Sequence, residues 1–414
     1  MLIKRYLLDD VTRHLQKKEI SLIVGPRQAG KTTLMKALES HLKKKGKDTL
    51  FLSLDFDGDR PFFRSQESLI ERAKLEFGNN RGYVFIDEIQ RKENAGLFLK
   101  GLYDMALPYK FIVSGSGSME LKEKIHESLL GRKRLFELNT LSLREFINYR
   151  TGYRYEGKLS SFFQIDRQRA MTLFMEYMNF GGYPRVVLEE TLEEKRAIID
   201  EIFRTYIEKD ISFLLRVEKV DAFRDMFRVL ASQVGGMLNL NSVSETIGVS
   251  VQTIKNYLSY AEKTFTIERV TPFFRNVRKE IRKTPVVYFH DIGLRNHSIG
   301  RFGQYNSTPD MGFLFQNLIF LLLRECPGTK GASIHYWRTR DRAEVDFVLD
   351  MAGSIIPVEC KCSEVKSPAI TRSLNSFIKK YRPEEAWVIN LSPKTGIKTE
   401  NTTVRFRPFY ELLE

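Results

Sequence analysis

The sequence predicts an α/β protein: an open parallel sheet flanked by helices, then a helical stretch, then a second and smaller α/β unit. Three observations predict it. The apolar run Ile20-Ser21-Leu22-Ile23-Val24 leads into Gly25-Pro26-Arg27-Gln28-Ala29-Gly30-Lys31-Thr32 and then an amphipathic segment with Leu34, Leu38 and Leu42, in the order strand, glycine loop, helix. Gly82-Tyr83-Val84-Phe85-Ile86 is an apolar strand that ends in two acids, Asp87-Glu88. Between Ile334 and Lys361 three strands follow one another, with Asp346 on one and Glu359-Cys360-Lys361 on the next. A chain of 414 residues exceeds what one core sustains, so about two to four domains are expected.

The glycine loop has the P-loop spacing G-x-x-x-x-G-K-[ST]. Such a loop curls backbone N–H groups around phosphates and aims a helix N-terminus at them. Gly25, Pro26, Arg27, Gln28, Ala29, Gly30, Lys31, Thr32 and Thr33 are therefore the expected nucleotide contacts, with Lys31 on the β and γ phosphates and Thr32 offering its hydroxyl to Mg²⁺. The run Lys43 to Asp48 reads as a solvated helix end and turn, and Leu50 to Asp55 as the second strand. Asp87, at a strand's carboxyl end, is expected to hold Mg²⁺ through water and Thr32, and Glu88 to polarise the attacking water. ATP and Mg²⁺ are the cofactors this set implies.

Tyr109 to Ser116 is a further strand with a polar tip. Ser114 or Ser116 is either a γ-phosphate sensor or part of a strand-end turn, which serine and glycine favour. Arg132, in Glu127-Ser128-Leu129-Leu130-Gly131-Arg132, is either an arginine finger acting on a neighbouring subunit or a cap on helix carbonyls.

Gly25 to Thr33, Tyr83 to Gln90, Val113 to Ser118, and Leu129 to Arg132 followed by Phe136-Glu137-Leu138 resemble the bacterial and archaeal AAA-plus-type ATPases related to the STAND group. The resemblance covers nearly the whole chain. It implies an AAA-plus-like P-loop core over 1–150, a helical lid and linker over 151–235, a winged helix over 236–300, and a restriction-nuclease-like domain of PD-(D/E)xK type over 301–414. It also implies that Pro184, in Gly181-Gly182-Tyr183-Pro184, approaches the nucleotide base, although those residue types make a sharp turn in any case. Tyr206-Ile207-Glu208-Lys209-Asp210-Ile211 matches a signature of the resembled group and has no evident chemistry.

From Phe174 onward the apolar spacing is helical, through Ile198, Ile202, Tyr206 and Ile211. Val243 and Ile247, then Ser250 as an N-cap and Val251, Ile254 and Leu258, have helix-turn-helix spacing. The second of these helices would expose Gln252, Thr253, Lys255 and Asn256, types suited to DNA phosphates and base edges, and Arg275, Arg278 and Lys279 lie on a basic stretch that would form the wing. The alternative is a packing module with a solvated edge.

In the last part, Asp346 and Glu359-x-Lys361 follow the Asp...Glu-x-Lys pattern of restriction-type nucleases, in which two carboxylates hold a divalent metal and the lysine helps to orient water. Glu359 and Lys361, two apart, share a strand face. Where the resembled group carries a glutamate on the preceding helix, this chain has Gln316; Glu344, on the face of Asp346, is the possible substitute.

Sixty-six Lys and Arg against 52 Asp and Glu, a formal charge of +14, favour an anionic partner such as duplex DNA. The three cysteines, Cys326, Cys360 and Cys362, argue against a disulfide framework or zinc site. No membrane-length apolar run and no secretory signal are evident, so the expected location is the cytoplasm. Two functions follow: an ATP-driven switch coupled to DNA, with or without nuclease activity, or a signalling or scaffold ATPase that binds a protein partner and carries an inert nuclease-like domain. Oligomerisation stays open.

Overall fold

The computed structural model describes residues 3–116, 129–214, 219–274, 284–304, 310–339, 341–351, 353–365, 367–392, 394–399 and 401–414. Its first part is an all-parallel sheet of β1 (Ile20–Gly25), β2 (Thr49–Ser53), β3 (Gly82–Asp87), β4 (Tyr109–Ser116) and β5 (Lys133–Glu137), in the order β2-β3-β4-β1-β5. Every residue of β1 and β3 is buried, which is why both read as continuous apolar runs rather than alternating ones. Helices α1 (Leu7–His14) and α2 (Lys31–Lys44) cover one face, packing Val11, Leu34, Met35 and Leu38 on Ile23, Phe85 and Ile112. On the other face α3 (Gln66–Phe77) and α4 (Ala95–Asp104) pack Leu69 and Leu99 on Leu22, Val84 and Val113. Each such aliphatic side chain contributes about 1.5–3 kcal/mol by leaving water. The strand order matters for chemistry: β4 lies between β1 and β3, so the polar carboxyl ends of all three meet at one edge.

The middle of the chain is helical: α5 (Leu143–Arg150), α6 (Leu159–Ile165), α7 (Arg167–Phe180), α8 (Pro184–Leu188) and α9 (Leu192–Thr205). Ser142 and Glu145 form a reciprocal capping box at the start of α5. Gly182 allows the sharp turn before α8, because a Cβ there would stand 2.0 Å from the Leu141 carbonyl oxygen. After Thr205 the winding widens into a π-helix, Tyr206–Leu214. The pattern does not announce this, since pairs spaced by four, 206 with 210 and 207 with 211, suit both 3.6 and 4.4 residues per turn. Then come α10 (Val220–Ser232), α11 (Leu240–Ile247) and α12 (Val251–Lys263). Asn239 and Ser250 cap the last two, and an antiparallel pair follows, β6 (Ile267–Val270) with β7 (Val286–Phe289). Arg275, Arg278 and Lys279, expected on the wing between them, lie outside the described residues.

After α13 (Ile292–Ser298) and α14 (Met311–Glu325) comes a mixed six-stranded sheet: β8 (Ser333–Arg338), β9 (Glu344–Met351), β10 (Ser354–Cys360), β11 (Glu385–Asn390), β12 (Thr395–Lys398) and β13 (Thr403–Pro408), in the order β12-β13-β11-β10-β9-β8. Helix α15 (Arg372–Tyr381) packs Leu374 and Phe377 on one face. The other face shares a single core with α14 and the helical middle, so packing runs without interruption across residues 300 and 301, where the sequence suggests a boundary. Phe174 of α7 meets Phe409 at 4.6 Å between ring centroids, and Phe163 of α6 stacks on Tyr410 at 4.9 Å. Among the described residues no helix is long and apolar enough to cross a membrane, and all three cysteines are free.

Candidate nucleotide site

The loop from Gly25 to Gly30 ends in Gly30 at φ 96°, a left-handed conformation that admits glycine and starts α2. Lys31 is 6% exposed, and its Nζ donates to the carbonyls of Gly25 (3.1 Å) and Pro26 (2.9 Å). Burial lowers its pKa, so a cation is held where water solvates it poorly. Thr32 Oγ1 donates to Asp87 Oδ2 at 2.8 Å across the gap between α2 and β3. Ser114, at the tip of β4, donates to Asp87 Oδ1 and accepts from the Glu88 amide at 3.2 Å. The side chain of Ser116, the other candidate on that strand, lies outside the described residues.

Glu88 stands at φ 58°, a backbone position costly for a residue other than glycine, so its direction is imposed by its surroundings. Gln90 Nε2 donates to its carboxylate, while burial raises its pKa. A raised carboxyl pKa makes a stronger proton acceptor near neutral pH. Thr32 and Asp87 supply hard oxygens, and among the described residues no three His, Cys, Asp or Glu side chains cluster as a metal cage. A hydroxyl, one carboxylate and waters, completed by phosphates, is the donor set Mg²⁺ prefers.

A cavity of about 690 Å³ lies before this loop. Arg27, Gln28, Gly30, Lys31, Thr32, Thr33 and Glu88 line its polar side, and Ile3, Leu8, Leu34, Ala37, Leu141, Pro184 and Leu188 its apolar wall. Pro184 thus faces the loop from α8, as does Arg185, whose Nη1 donates to Gln28 Oε1 at 3.0 Å, and Lys209 of the π-helix lines the same cavity. Sequence reasoning missed Arg5. Its guanidinium donates to the carbonyls of Ala29 (2.7 Å) and Asn139 (2.6 Å) and pairs with Glu145 (3.2 Å), fastening the chain before α1 to the loop and to the capping box of α5. The available signal was Glu145, which the box Ser142-x-x-Glu145 singles out. Asp291 was missed as well; it takes the Gly182 amide at 2.9 Å and the Leu294 amide at 2.8 Å.

Arg132 does not line this cavity, a place that decides between neither expectation for it, the finger acting on a neighbouring subunit or the cap on helix carbonyls. β5 runs parallel to β1 with Lys133 beside Ile20, so Arg132 lies at the amino edge of the sheet, opposite the loop. There it pairs with Asp104 at 2.7 Å.

The second carboxylate pair lies in the C-terminal sheet. Asp346 on β9 accepts from the Cys360 amide (2.7 Å) and from the Gln316 side-chain amide (3.1 Å), which also donates to Tyr288 (2.9 Å). Glu359 accepts from Thr371 Oγ1 (2.6 Å) and pairs with Lys361 at 2.7 Å. Glu344 pairs with Arg338 at 3.2 Å rather than turning to Asp346. The surrounding protein pushes the Asp346 carboxyl up to about 7, even though part of it reaches solvent. Gln316 puts a neutral amide where the resembled group carries a glutamate, so the set offers a metal two carboxylates, each already holding two donors. On α12, Gln252, Lys255 and Asn256 are exposed and Thr253 half-buried, with Gln252 Nε2 donating to Asn256 Oδ1 at 3.1 Å.

Residues 17–147 match a family model described as an AAA domain. Residues 171–305 and 311–407 match models described as domains of unknown function, DUF8612 and DUF4143. The first segment, which holds the loop and the Asp-Glu strand on a five-stranded parallel sheet, is a P-loop ATPase domain of the AAA type. The chain is similar to uncharacterized proteins of Mycobacterium tuberculosis (25% identical over 369 residues, 88% of this chain and 75% of that one) and Haemophilus influenzae (26% over 355 residues, 82% of each). Among solved structures it is similar to the Orc1 protein of Aeropyrum pernix in complex with DNA, at 11% identity, TM-score 0.31 and coverage of 73% of this chain and 94% of that one. Another is the replication initiator DnaA bound to AMPPCP and single-stranded DNA, at 14%, 0.30, and coverage of 63% and 90%. Scores of this size carry no argument.

Proposed function

We propose that the protein is an ATP- and Mg²⁺-dependent hydrolytic switch whose helical middle follows the state of the nucleotide and couples it to duplex DNA. The observation that carries the reading is the shared cavity, in which Lys31, Thr32 and Glu88 of the ATPase sheet face Pro184, Arg185 and Lys209 of the helical middle. A ligand held there touches both parts at once. Lys31 binds the β and γ phosphates, Thr32 and Asp87 hold Mg²⁺, and Glu88 accepts the proton of the attacking water while Gln90 and Ser114 fix its direction. Mg²⁺ supplies charge neutralisation on the phosphates. The apolar wall of Ile3, Leu8 and Pro184 takes the base. Exposed Gln252, Lys255 and Asn256 on α12, with the net charge of +14, support duplex DNA as the partner.

The C-terminal sheet, on this reading, binds rather than cuts. The amide of Gln316 on Asp346 and the Lys361 pair on Glu359 favour an inert nuclease-like site. That feature also favours the second reading, a scaffold ATPase with a protein partner. The test is ATP turnover with and without duplex DNA, in wild type and Glu88→Gln. Stimulation by DNA that vanishes in Glu88→Gln supports the first reading, and Glu88-dependent turnover indifferent to DNA supports the second. Plasmid nicking under Mn²⁺ that is lost in Asp346→Ala would overturn the inert site.

A further inference from the structure

Of the signature Tyr206-Ile207-Glu208-Lys209-Asp210-Ile211 only Lys209 has entered the account of the cavity, yet Asp210 touches the loop. Asp210 is 6% exposed, and its Oδ1 accepts from Arg27 Nε at 2.6 Å. Arg27 is the third residue of the glycine loop, and it lines both the 690 Å³ cavity and a second of about 980 Å³. Glu88 and Lys209 are the other charged side chains common to the two, so this border is where the terminal phosphate and the attacking water belong. Asp87 and Glu88 have roles there, on metal and on water. Asp210 has none, and it is an anion facing three cations, Arg27, Lys31 and Lys209.

We propose that Asp210 is a built-in competitor for the terminal phosphate of the nucleotide: carboxylate and phosphate vie for the Arg27 guanidinium, and the π-helix carrying Asp210 reports which of them holds it. The proposal rests on the reading of the loop as an ATP site. The exchange is of one anion for another: Asp210 holds Arg27 through Nε, whereas a phosphate offers the guanidinium fork two oxygens. Once Arg27 turns to phosphate, Asp210 is left as a buried carboxylate short of its cation, a costly arrangement that favours movement of its segment. Burial already raises its pKa in spite of the pair. The far side of the segment is placed to pass that movement on. Tyr206 hydroxyl lies 3.2 Å from Thr264 Oγ1 at the end of α12, and its ring packs on Phe223 and Phe227 of α10. The π-helix therefore joins the loop to the helices that expose Gln252 and Lys255. Widened turns of this kind recur at functional sites.

The test is calorimetric titration of the full chain with Mg²⁺ and either ATPγS or ADP, in wild type, Asp210→Asn, Arg27→Gln and the double variant, with thermal melting to verify folding. Removing the competitor tightens ATPγS by about fivefold to tenfold and ADP by less than about twofold, and the gain vanishes when Arg27 is already Gln. A merely structural Asp210 would weaken both ligands in either background. Asp210→Asn with ATPγS affinity unchanged or weakened, or with equal gains for ADP, overturns the proposal alone. Wild type that binds neither nucleotide overturns the ATP reading and the proposal with it. Should Asp210→Asn fail to fold, Asp210→Glu replaces it: a longer carboxylate keeps the charge but loses the 2.6 Å geometry, and ATPγS affinity no different from wild type overturns the proposal.

Discussion

The molecule holds two carboxylate pairs of nearly the same chemistry, Asp87 with Glu88 and Asp346 with Glu359, and they are built to opposite ends. Around the first, hydroxyls of Thr32 and Ser114 and an amide hold the acids in place, while a cavity of about 690 Å³ and a buried lysine face them. Around the second, Gln316 and the Cys360 N–H hold Asp346, while Thr371 and the site's own lysine, Lys361, hold Glu359. The difference teaches that acids alone do not make a site. What differs is the cation: Lys31 rests on the carbonyls of its own loop and leaves the acids their charge, whereas Lys361 is paired with Glu359.

Breaking the first site should give the largest effect. Lys31→Ala removes the buried cation of the glycine loop and should weaken ATPγS binding by about a hundredfold or more, read by calorimetry, without altering the C-terminal sheet. The converse change would erase the difference between the pairs. Gln316→Glu exchanges the amide donor for a third carboxylate and should create Mn²⁺ binding at least about tenfold tighter than any in wild type. Without metal the same variant should melt lower, because like charges then crowd Asp346, and Mn²⁺ should restore the loss.

A smaller effect concerns pH. Folding raises the pKa of Asp346 from 3.8 to about 7, so between those values the folded chain keeps a proton that the unfolded chain has released. Stability from this group is therefore lost as pH rises through that window. Discounted for partial exposure, Asp346→Asn should recover about 2 kcal/mol at pH 8 relative to pH 4, as the difference between variant and wild-type denaturation curves. The smallest effect belongs to Arg132→Ala, which removes an exposed pair with Asp104 far from the loop and should leave ATP turnover within about twofold of wild type.

How much of this was legible depended on whether function follows local spacing. The loop, the Asp-Glu strand and Ser114 are read from contiguous residues, because a strand end, a tight turn and a helix start each leave a local mark. Asp346 and Glu359-x-Lys361 are legible for the same reason, and even the departure at Gln316 is visible. What it does is not: only the fold shows its amide spent on Asp346. Arg5 acts on the Ala29 carbonyl 24 residues away and Asp291 on the Gly182 amide 109 residues away, reaches that no neighbouring residue marks; the N-cap bond of Asp291 to Leu294 is local and shows only a helix start. The π-helix stayed hidden because spacing of four is ambiguous between two windings.

The aromatic contacts of Phe174 with Phe409 and of Phe163 with Tyr410 carry a mechanical consequence. They join the short turn that follows β13 to α6 and α7 within one continuous core, so the sheet is no payload on a tether. Any displacement of the helical middle is therefore carried into the sheet rather than absorbed at a hinge between them.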